Sequence, residues 1–239
     1  ARGERRSHQR KSVAHSAKRY RDGIRHTGRI PTGFVHPDRY QGEILSCRGR
    51  EAALLQKTSR LAVTPSSMVR SIYKGTVFTL NVDTVRLPNG HTIDLEVIRH
   101  PGASAVVPLK EDGTVVLIRQ FRHAANGFIY EIPAGKLHPK EDPLDCAARE
   151  LEEEIGYKAG RFELLSSIFT APGFADEVIH IYLATDLRLG TQNLDQDEVL
   201  EVVEMPLKEA IAKIEDGTIR DAKTIVGLQG VYIRQGGNR

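Results

Sequence analysis

The chain has 239 residues, 40% of them hydrophobic and 27% charged, with no Trp and a formal net charge of +3. That composition excludes a disordered chain, a collagen-like repeat and a membrane protein as the main reading, since no apolar stretch approaches the roughly 18–20 residues needed to span a bilayer. Two cysteines, Cys47 and Cys146, cannot build a disulfide framework and lack the paired spacing of a zinc site, so a reducing compartment, the cytoplasm, is expected.

The charge is unevenly placed. Residues 1–67 carry fifteen Lys and Arg against five Asp and Glu, whereas the remainder carries nineteen against twenty-six. The first segment is rich in Arg, His, Ser and Gly, and its only apolar clusters are Ile44-Leu45 and Leu54-Leu55. Burial there cannot offset the chain entropy lost on ordering, which favours a basic, solvated tail. Two rival readings are an arm that binds nucleic acid or anionic lipid, and a transit peptide, which Glu4, Asp22 and Asp38 weaken.

Patterned sequence begins at Met68. Ser71–Val85 is dense in Ile, Tyr, Val, Phe, Thr and Leu and reads as a strand; Leu87-Pro88-Asn89-Gly90 reads as a turn; His91–Arg99 resumes the alternation. Asn-Gly between such runs signals a hairpin in which both turn positions favour positive φ. Residues 68–100 are therefore expected to form a small antiparallel sheet, with residues 101–239 as the main domain. Strands follow near Ala103–Pro108, Thr114–Gln120 and Gly127–Ile132. Leu144–Ile155 reads as a helix with Leu144, Ala147, Ala148, Leu151 and Ile155 on one face, Asp142 as N-cap, Pro143 at the first position and Gly156 as the stop. Further strands are expected near Phe162–Thr170, Glu177–Leu183 and Val199–Met205, and helices at about Leu207–Asp216 and Ala222–Arg234. Strands and helices are mixed, so an α/β or α+β sandwich is expected.

Chemistry concentrates on the first helix. Glu150 and Glu154 stand one turn apart with Glu153 on the adjoining flank, and like charges at that spacing repel. Carboxylates brought together in this way suit a hard divalent cation such as Mg²⁺, which works with substrate phosphates. A solvated acidic face is the alternative. The spacing decides between them. Gly135, Glu141, Arg149, Glu150, Glu153, Glu154 and Gly156 occupy every fixed position of G-x5-E-x7-R-E-U-x-E-E-x-G-U, and only Tyr157 fits its hydrophobic position loosely. The chain resembles the Nudix hydrolases. The resemblance implies an α/β/α sandwich with a mixed sheet, preceded here by the small antiparallel sheet, and Mg²⁺-dependent hydrolysis of a nucleoside diphosphate linked to another moiety, with Mn²⁺ as the alternative to Mg²⁺. It also implies Glu150 and Glu154 as principal metal ligands, Glu153 as a further ligand or supporting carboxylate, the Ala134 carbonyl as a ligand, and Arg149 as the residue that orients the glutamates. Glu141 is implied to hold the loop.

Other segments resemble the ADP-ribose pyrophosphatases of that family: Ile118-Arg-Gln-Phe-Arg122, Tyr130-Glu-Ile-Pro-Ala-Gly135, Gly217-Thr-Ile-Arg-Asp-Ala-Lys-Thr-Ile225, and Pro172, sixteen residues past Gly156. The implied reaction is ADP-ribose and water to AMP and ribose 5-phosphate, in a homodimer assembled partly through the small sheet. Arg122, then Arg119, are candidates for substrate phosphate or ribose contact; Phe174 for the sugar pocket; Pro172 is a diagnostic turn residue. The general base is sought in Asn193–Val199, where Glu198 fits best as a metal-facing or water-activating carboxylate. Gln196 stands where some relatives have an acid, so either Glu198 acts alone, or Asp195 or Asp197 substitutes, or a metal-bound hydroxide suffices. Rival substrates are another ADP-sugar, a GDP-sugar, NADH or a dinucleoside polyphosphate. A regulator that senses ADP-ribose and grips nucleic acid is disfavoured, because all box glutamates are present and residues 1–67 hold no recognition-helix pattern. Neither nucleic acid nor a membrane is expected as a partner.

Overall fold

The computed structural model describes residues 68–196 and 198–237; the expectations for residues 1–67 and for Asp197 lie outside the described residues. In chain order the elements are β1 (Met68–Lys74), β2 (Thr79–Arg86), β3 (Thr92–Arg99), β4 (Ala103–Pro108), β5 (Thr114–Arg122), β6 (Gly127–Glu131), β7 (Ala134–Lys136), α1 (Pro143–Ile155), β8 (Tyr157–Phe169), β9 (Val178–Leu189), β10 (Leu200–Pro206), α2 (Leu207–Glu215) and α3 (Ala222–Arg234).

The strands form three sheets. One is the antiparallel meander β1-β2-β3; a second has the order β10-β5-β6; the third has the order β7-β4-β9-β8 and is mixed, because β4 runs parallel to β9. Strands β4 and β5 are apolar without alternation because both of their faces are buried. Ala105, Val107, Val115 and Leu117 join one core with Leu228 and Val231 of α3, whereas Val106, Val116 and Ile118 join another with Ala147, Leu151 and Ile155 of α1. Helices thus cover both faces of the strands, the layered mixed α/β architecture expected.

Four local expectations are corrected. Ser71–Val85 is two strands, not one: the chain reverses after β1, where Gly75 N–H donates to the Phe78 carbonyl (3.0 Å). Strand propensity reports fit to a pleated surface and carries no record of where the chain turns back. At the β2–β3 turn Gly90 adopts φ 88° but Asn89 does not take positive φ. Gly90 N–H donates to Leu87 (2.8 Å) and Leu87 N–H to His91 (2.7 Å), closing a three-residue loop that needs only one left-handed position. Strand β8 begins at Tyr157, directly after the helix stop, not at Phe162. Leu144 is 40% exposed, so it lies off the buried helix face.

The small sheet is stitched to the loop that carries Pro172. Ile98 N–H donates to the Phe174 carbonyl (2.8 Å) and Asp176 N–H to the Ile98 carbonyl (3.1 Å). Arg99 bridges Asp83 of β2 and Asp176 (3.0 Å to the latter), and His100 N–H donates to Asp176 Oδ1 (2.9 Å).

Helix α3 approaches the strands closely at Gly227, where a Cβ would stand 2.8 Å from Val107 Cγ2 and 3.2 Å from Ile132 Cδ1. Gly227→Ala is expected to lower the melting temperature: overpacking costs about 1–3 kcal/mol and sets that against a helix-propensity gain of about 1 kcal/mol. An unchanged or raised Tm in thermal unfolding would show that helix and strands separate freely.

Candidate active site

Helix α1 begins and ends as its sequence dictates. Asp142 Oδ1 accepts from Leu144 N–H (2.8 Å), Pro143 occupies the first turn, and Gly156 takes φ 70° while its N–H donates to Glu152 (2.9 Å). Its buried stripe is Cys146, Ala147, Glu150, Leu151, Glu154 and Ile155. Two glutamates therefore share the stripe that faces the core, at 8% and 2% exposure. This is no solvated acidic face.

Strand β7 lies against that stripe. Its three residues Ala-Gly-Lys have no strand preference and were not foreseen as a strand; pairing of Ala134–Lys136 with Ala103–Ala105 of β4 creates it. Ala134 N–H donates to Glu154 Oε2 at 2.9 Å. At Gly135 a Cβ would fall 1.7 Å from Glu150 Oε1, so the glycine is the cradle of that carboxylate. Cys146 Sγ sits near the carbonyls of Gly135 (3.6 Å) and Lys136 (3.8 Å), and burial pushes its thiol up to about 11, leaving it neutral.

Arg149 organises the outer edge. Nε donates to Glu141 Oε1 (2.9 Å) and Nη2 to Glu141 Oε2 (3.2 Å), while Nη1 reaches Glu150 Oε1 (2.6 Å) and Glu153 Oε2 (2.9 Å). The Arg149 guanidinium, aided by the His138 N–H, holds the Glu141 carboxyl at about 2, and these acids raise the arginine in return. Glu141 thereby anchors the loop to the helix, as a charge-assisted fork does.

The electrostatics of the glutamates run the other way. Burial, then the charges of Glu150 and Glu198, push Glu154 up to about 8, the Ala134 N–H and Arg122 opposing. Glu150 is also raised, first by burial, with Arg149 opposing and Glu153 and Glu198 adding. Two buried carboxylates of α1, both raised by burial and by the charge of neighbouring acids, signal a local shortage of positive charge. Among the described residues no three His, Cys, Asp or Glu side chains already stand in coordinating geometry, since Arg149 draws Glu150 and Glu153 to itself. The all-oxygen donor set, its mutual repulsion and the Gly135 cradle nevertheless fit a hard divalent cation.

The structure brings Ala134, Arg149, Glu150 and Glu154 together, with Glu153 on the outer flank and Glu198 near enough for its charge to act on Glu150 and Glu154. Glu198 Oε2 accepts from Asp195 N–H (3.1 Å), which shapes its loop; Asp195 and Gln196 are exposed. Arg122 is engaged bidentately by Glu131 (2.7 and 2.9 Å). Arg119 pairs with Glu201 (3.2 Å) and lies over the Phe128 ring, 4.5 Å from its centroid. Pro172 and Phe174 lie exposed in the Ala171–Ala175 turn.

Sequence reasoning missed two contributors. The loop after β9 covers the end of α1: Gln192 Nε2 donates to the Glu154 carbonyl (2.7 Å) and Asn193 N–H to the Glu153 carbonyl (2.9 Å). With Ala148, Arg149, Glu152 and Glu153 this loop lines a groove of about 550 Å³. The second is Glu131, 2% exposed, which also binds Lys223 of α3. Burial alone would raise Glu131, but Arg122 and Lys223 bring its carboxyl below the ordinary range.

The NUDIX domain family matches residues 98–226. The chain is 43% identical over 166 residues to the methanol dehydrogenase activator of Bacillus methanolicus and 40% identical over 166 residues to the ADP-ribose pyrophosphatase of Bacillus subtilis (strain 168). Each alignment covers 69% of this chain and 90% of the relative. A crystal structure of an ADP compounds hydrolase superposes with TM-score 0.63 at 25% identity, covering 72% of this chain and 93% of that one.

Proposed function

This chain belongs to the Nudix family, and from that membership we propose that it is a Mg²⁺-dependent ADP-ribose pyrophosphatase, converting ADP-ribose and water to AMP and ribose 5-phosphate. The observation that carries the reading is the pair of buried carboxylates, Glu150 and Glu154, set under the β7 turn and both raised, first by burial and then by neighbouring acids. The pyrophosphatase and hydrolase names of the relatives support the substrate class.

Glu150 and Glu154 would hold the cation, with Glu198, the Ala134 carbonyl and Glu153 as further oxygen donors. Mg²⁺, when bound there, would supply neutralisation of the diphosphate and activation of the attacking water. Arg149 keeps Glu150 in place through the bond at 2.6 Å and fixes the helix to Glu141. Glu198 is the group to accept the proton as water adds to one phosphorus and the bridging P–O bond breaks, with Asp195 as the substitute on the same loop. Arg122 and Arg119 contact phosphate or ribose, and Phe174, in the turn marked by Pro172, lines the sugar pocket.

A homodimer completes the assignment. Val69, Ile72, Tyr73, Ile93 and Leu95 of the small sheet are exposed apolar side chains, which supports a second copy covering them. No helix among the described residues is long and apolar enough to cross a membrane. Cys146 is a free, buried thiol, which suits a reducing cytoplasm. The basic residues 1–67 take no part in the reaction.

The test is a substrate panel with Mg²⁺: ADP-ribose, ADP-glucose, NADH and GDP-mannose, with products identified. ADP-ribose is expected to give the highest kcat/KM, with AMP and ribose 5-phosphate as products, and chelation is expected to stop turnover. A higher kcat/KM for GDP-mannose or NADH would replace the substrate assignment.

A further inference from the structure

The segment Gly217–Ile225 lies more than sixty positions beyond α1, and none of the proposed chemistry uses it. It forms the entry to α3. Asp221 caps the helix, accepting on Oδ2 from Thr224 N–H (3.0 Å) and from the Thr224 hydroxyl (2.6 Å). That hydroxyl proton is committed to Asp221, so Thr224 Oγ1 turns its lone pair outward and accepts from Ile132 N–H at 2.8 Å. Thr224 is fully buried. Beside it Lys223, 9% exposed, binds Glu131 and lies 3.1 Å from Asp221.

These contacts fall on the run Glu131-Ile-Pro-Ala-Gly135, which links β6 to β7. Pro133 has no N–H, and its carbonyl accepts from Val106 N–H (2.9 Å). Ile132, the one N–H of the linker proper, donates to Thr224, and Ala134, the first residue of β7, donates to Glu154. The linker is thus pinned from α3 at one residue and from α1 two residues later, and the next residue is the Gly135 cradle of Glu150.

We propose that Thr224 and Lys223 are positioning residues for the carboxylate site: from α3 they fix the Glu131–Gly135 linker in the register that presents the Ala134 N–H to Glu154 and the Gly135 cradle to Glu150. This rests on the reading of Glu150 and Glu154 as the metal-holding pair. Neither residue touches substrate or ion. A buried hydroxyl with one defined donor and one defined acceptor is a directional strut, whereas an apolar residue of the same shape would fill the space without setting the register. Groups that orient metal-binding side chains from behind change affinity and turnover even though they bind nothing themselves.

The experiment compares Thr224→Val, which keeps the shape and loses the hydroxyl, with Thr224→Ser, which restores it, and with Lys223→Met. Hydrogen exchange at Ile132 and Ala134 is followed in the metal-free full chain. Mg²⁺ binding is measured by calorimetry without substrate, and kcat and KM are measured with ADP-ribose. Thr224→Val is expected to speed exchange at both amides and to weaken Mg²⁺ binding and lower kcat by about 10- to 100-fold. KM is expected to move by less than about threefold, because substrate contacts are untouched. Thr224→Ser is expected to recover all three. A folded Thr224→Val protein with wild-type exchange at Ala134 and wild-type Mg²⁺ affinity overturns the proposal, as does a Ser variant as impaired as Val. Should Thr224→Val fail to fold, Lys223→Met decides: faster exchange across 131–134 with weaker Mg²⁺ binding supports positioning, and unchanged values overturn it. A wild-type chain that binds no Mg²⁺ also overturns it. Wild-type Mg²⁺ binding without turnover of any panel substrate sinks the substrate reading alone and leaves the exchange and binding comparison standing.

Discussion

Glu154→Gln is expected to lower kcat by about three orders of magnitude, a loss of about 4 kcal/mol of transition-state stabilisation, while leaving the metal-free protein as stable as before or more so. The two effects have opposite signs for one reason. Glu154 is 2% exposed, and without a cation its charge is opposed by burial and by Glu150 and Glu198. Glutamine keeps the shape and can still accept from the Ala134 N–H, but it removes that charge and with it the anchor proposed for the cation. The pH dependence follows. An acid raised from 4.5 to about 8 binds more protons in the folded state than in the unfolded one between those values, so metal-free wild-type stability falls as pH rises from 4.5 through 8. The variant lacks that slope. Added Mg²⁺ is expected to raise the wild-type Tm through binding linkage and to leave the variant's Tm nearly unmoved. Full activity in Glu154→Gln, or a Mg²⁺-induced Tm shift equal to wild type, would remove the metal assignment. Glu150→Gln is expected to behave alike in turnover.

The second large effect is on folding. Glu131→Ala is expected to destabilise the protein by about 3–5 kcal/mol, because it leaves Arg122 and the buried Lys223 without their shared carboxylate. For a chain of this size that is roughly 10 °C in Tm. Here the pH sign is reversed. The Glu131 carboxyl lies below its ordinary 4.5 when folded, so its contribution is present above that pH and is lost as pH falls through the lower folded value. Wild-type stability should therefore drop in acid by more than that of the variant. Thermal melts of both proteins between neutral and acidic pH measure this, and parallel curves would show that the Arg122–Glu131–Lys223 cluster contributes nothing net.

The two sites differ in how far they can be read from sequence. Helix α1 is legible because its punctuation is local: Asp142, Pro143 and Gly156 each act within a turn of where they stand. The Glu150–Glu154 pair is legible because helical geometry converts a spacing of four into a shared stripe. Glu131 is not legible as the partner of Lys223, since their contact spans ninety-two positions and depends on how α3 packs. Arg122 shows the same limit. Its charge and place at the end of β5 suggest a free arm for substrate, and only the β5–β6 register brings Glu131 within reach of its guanidinium. Strand β7 owes its existence to β4, so no property of Ala134-Gly135-Lys136 foretells it. Gly75, by contrast, was available as a signal inside Ser71–Val85 and marks the reversal that a uniform run of strand-forming residues conceals.

The stitch between β3 and the turn at Ala171–Asp176, which is proposed to line the sugar pocket, bears on any attempt to alter that turn. Two main-chain bonds at Ile98 and the Arg99 bridge to Asp83 and Asp176 bind that turn to the meander. A grafted turn that lacks the Asp176 carboxylate would leave Arg99 with Asp83 alone and take away the acceptor of the His100 amide, so a chimera has to exchange the meander and the turn as one cassette.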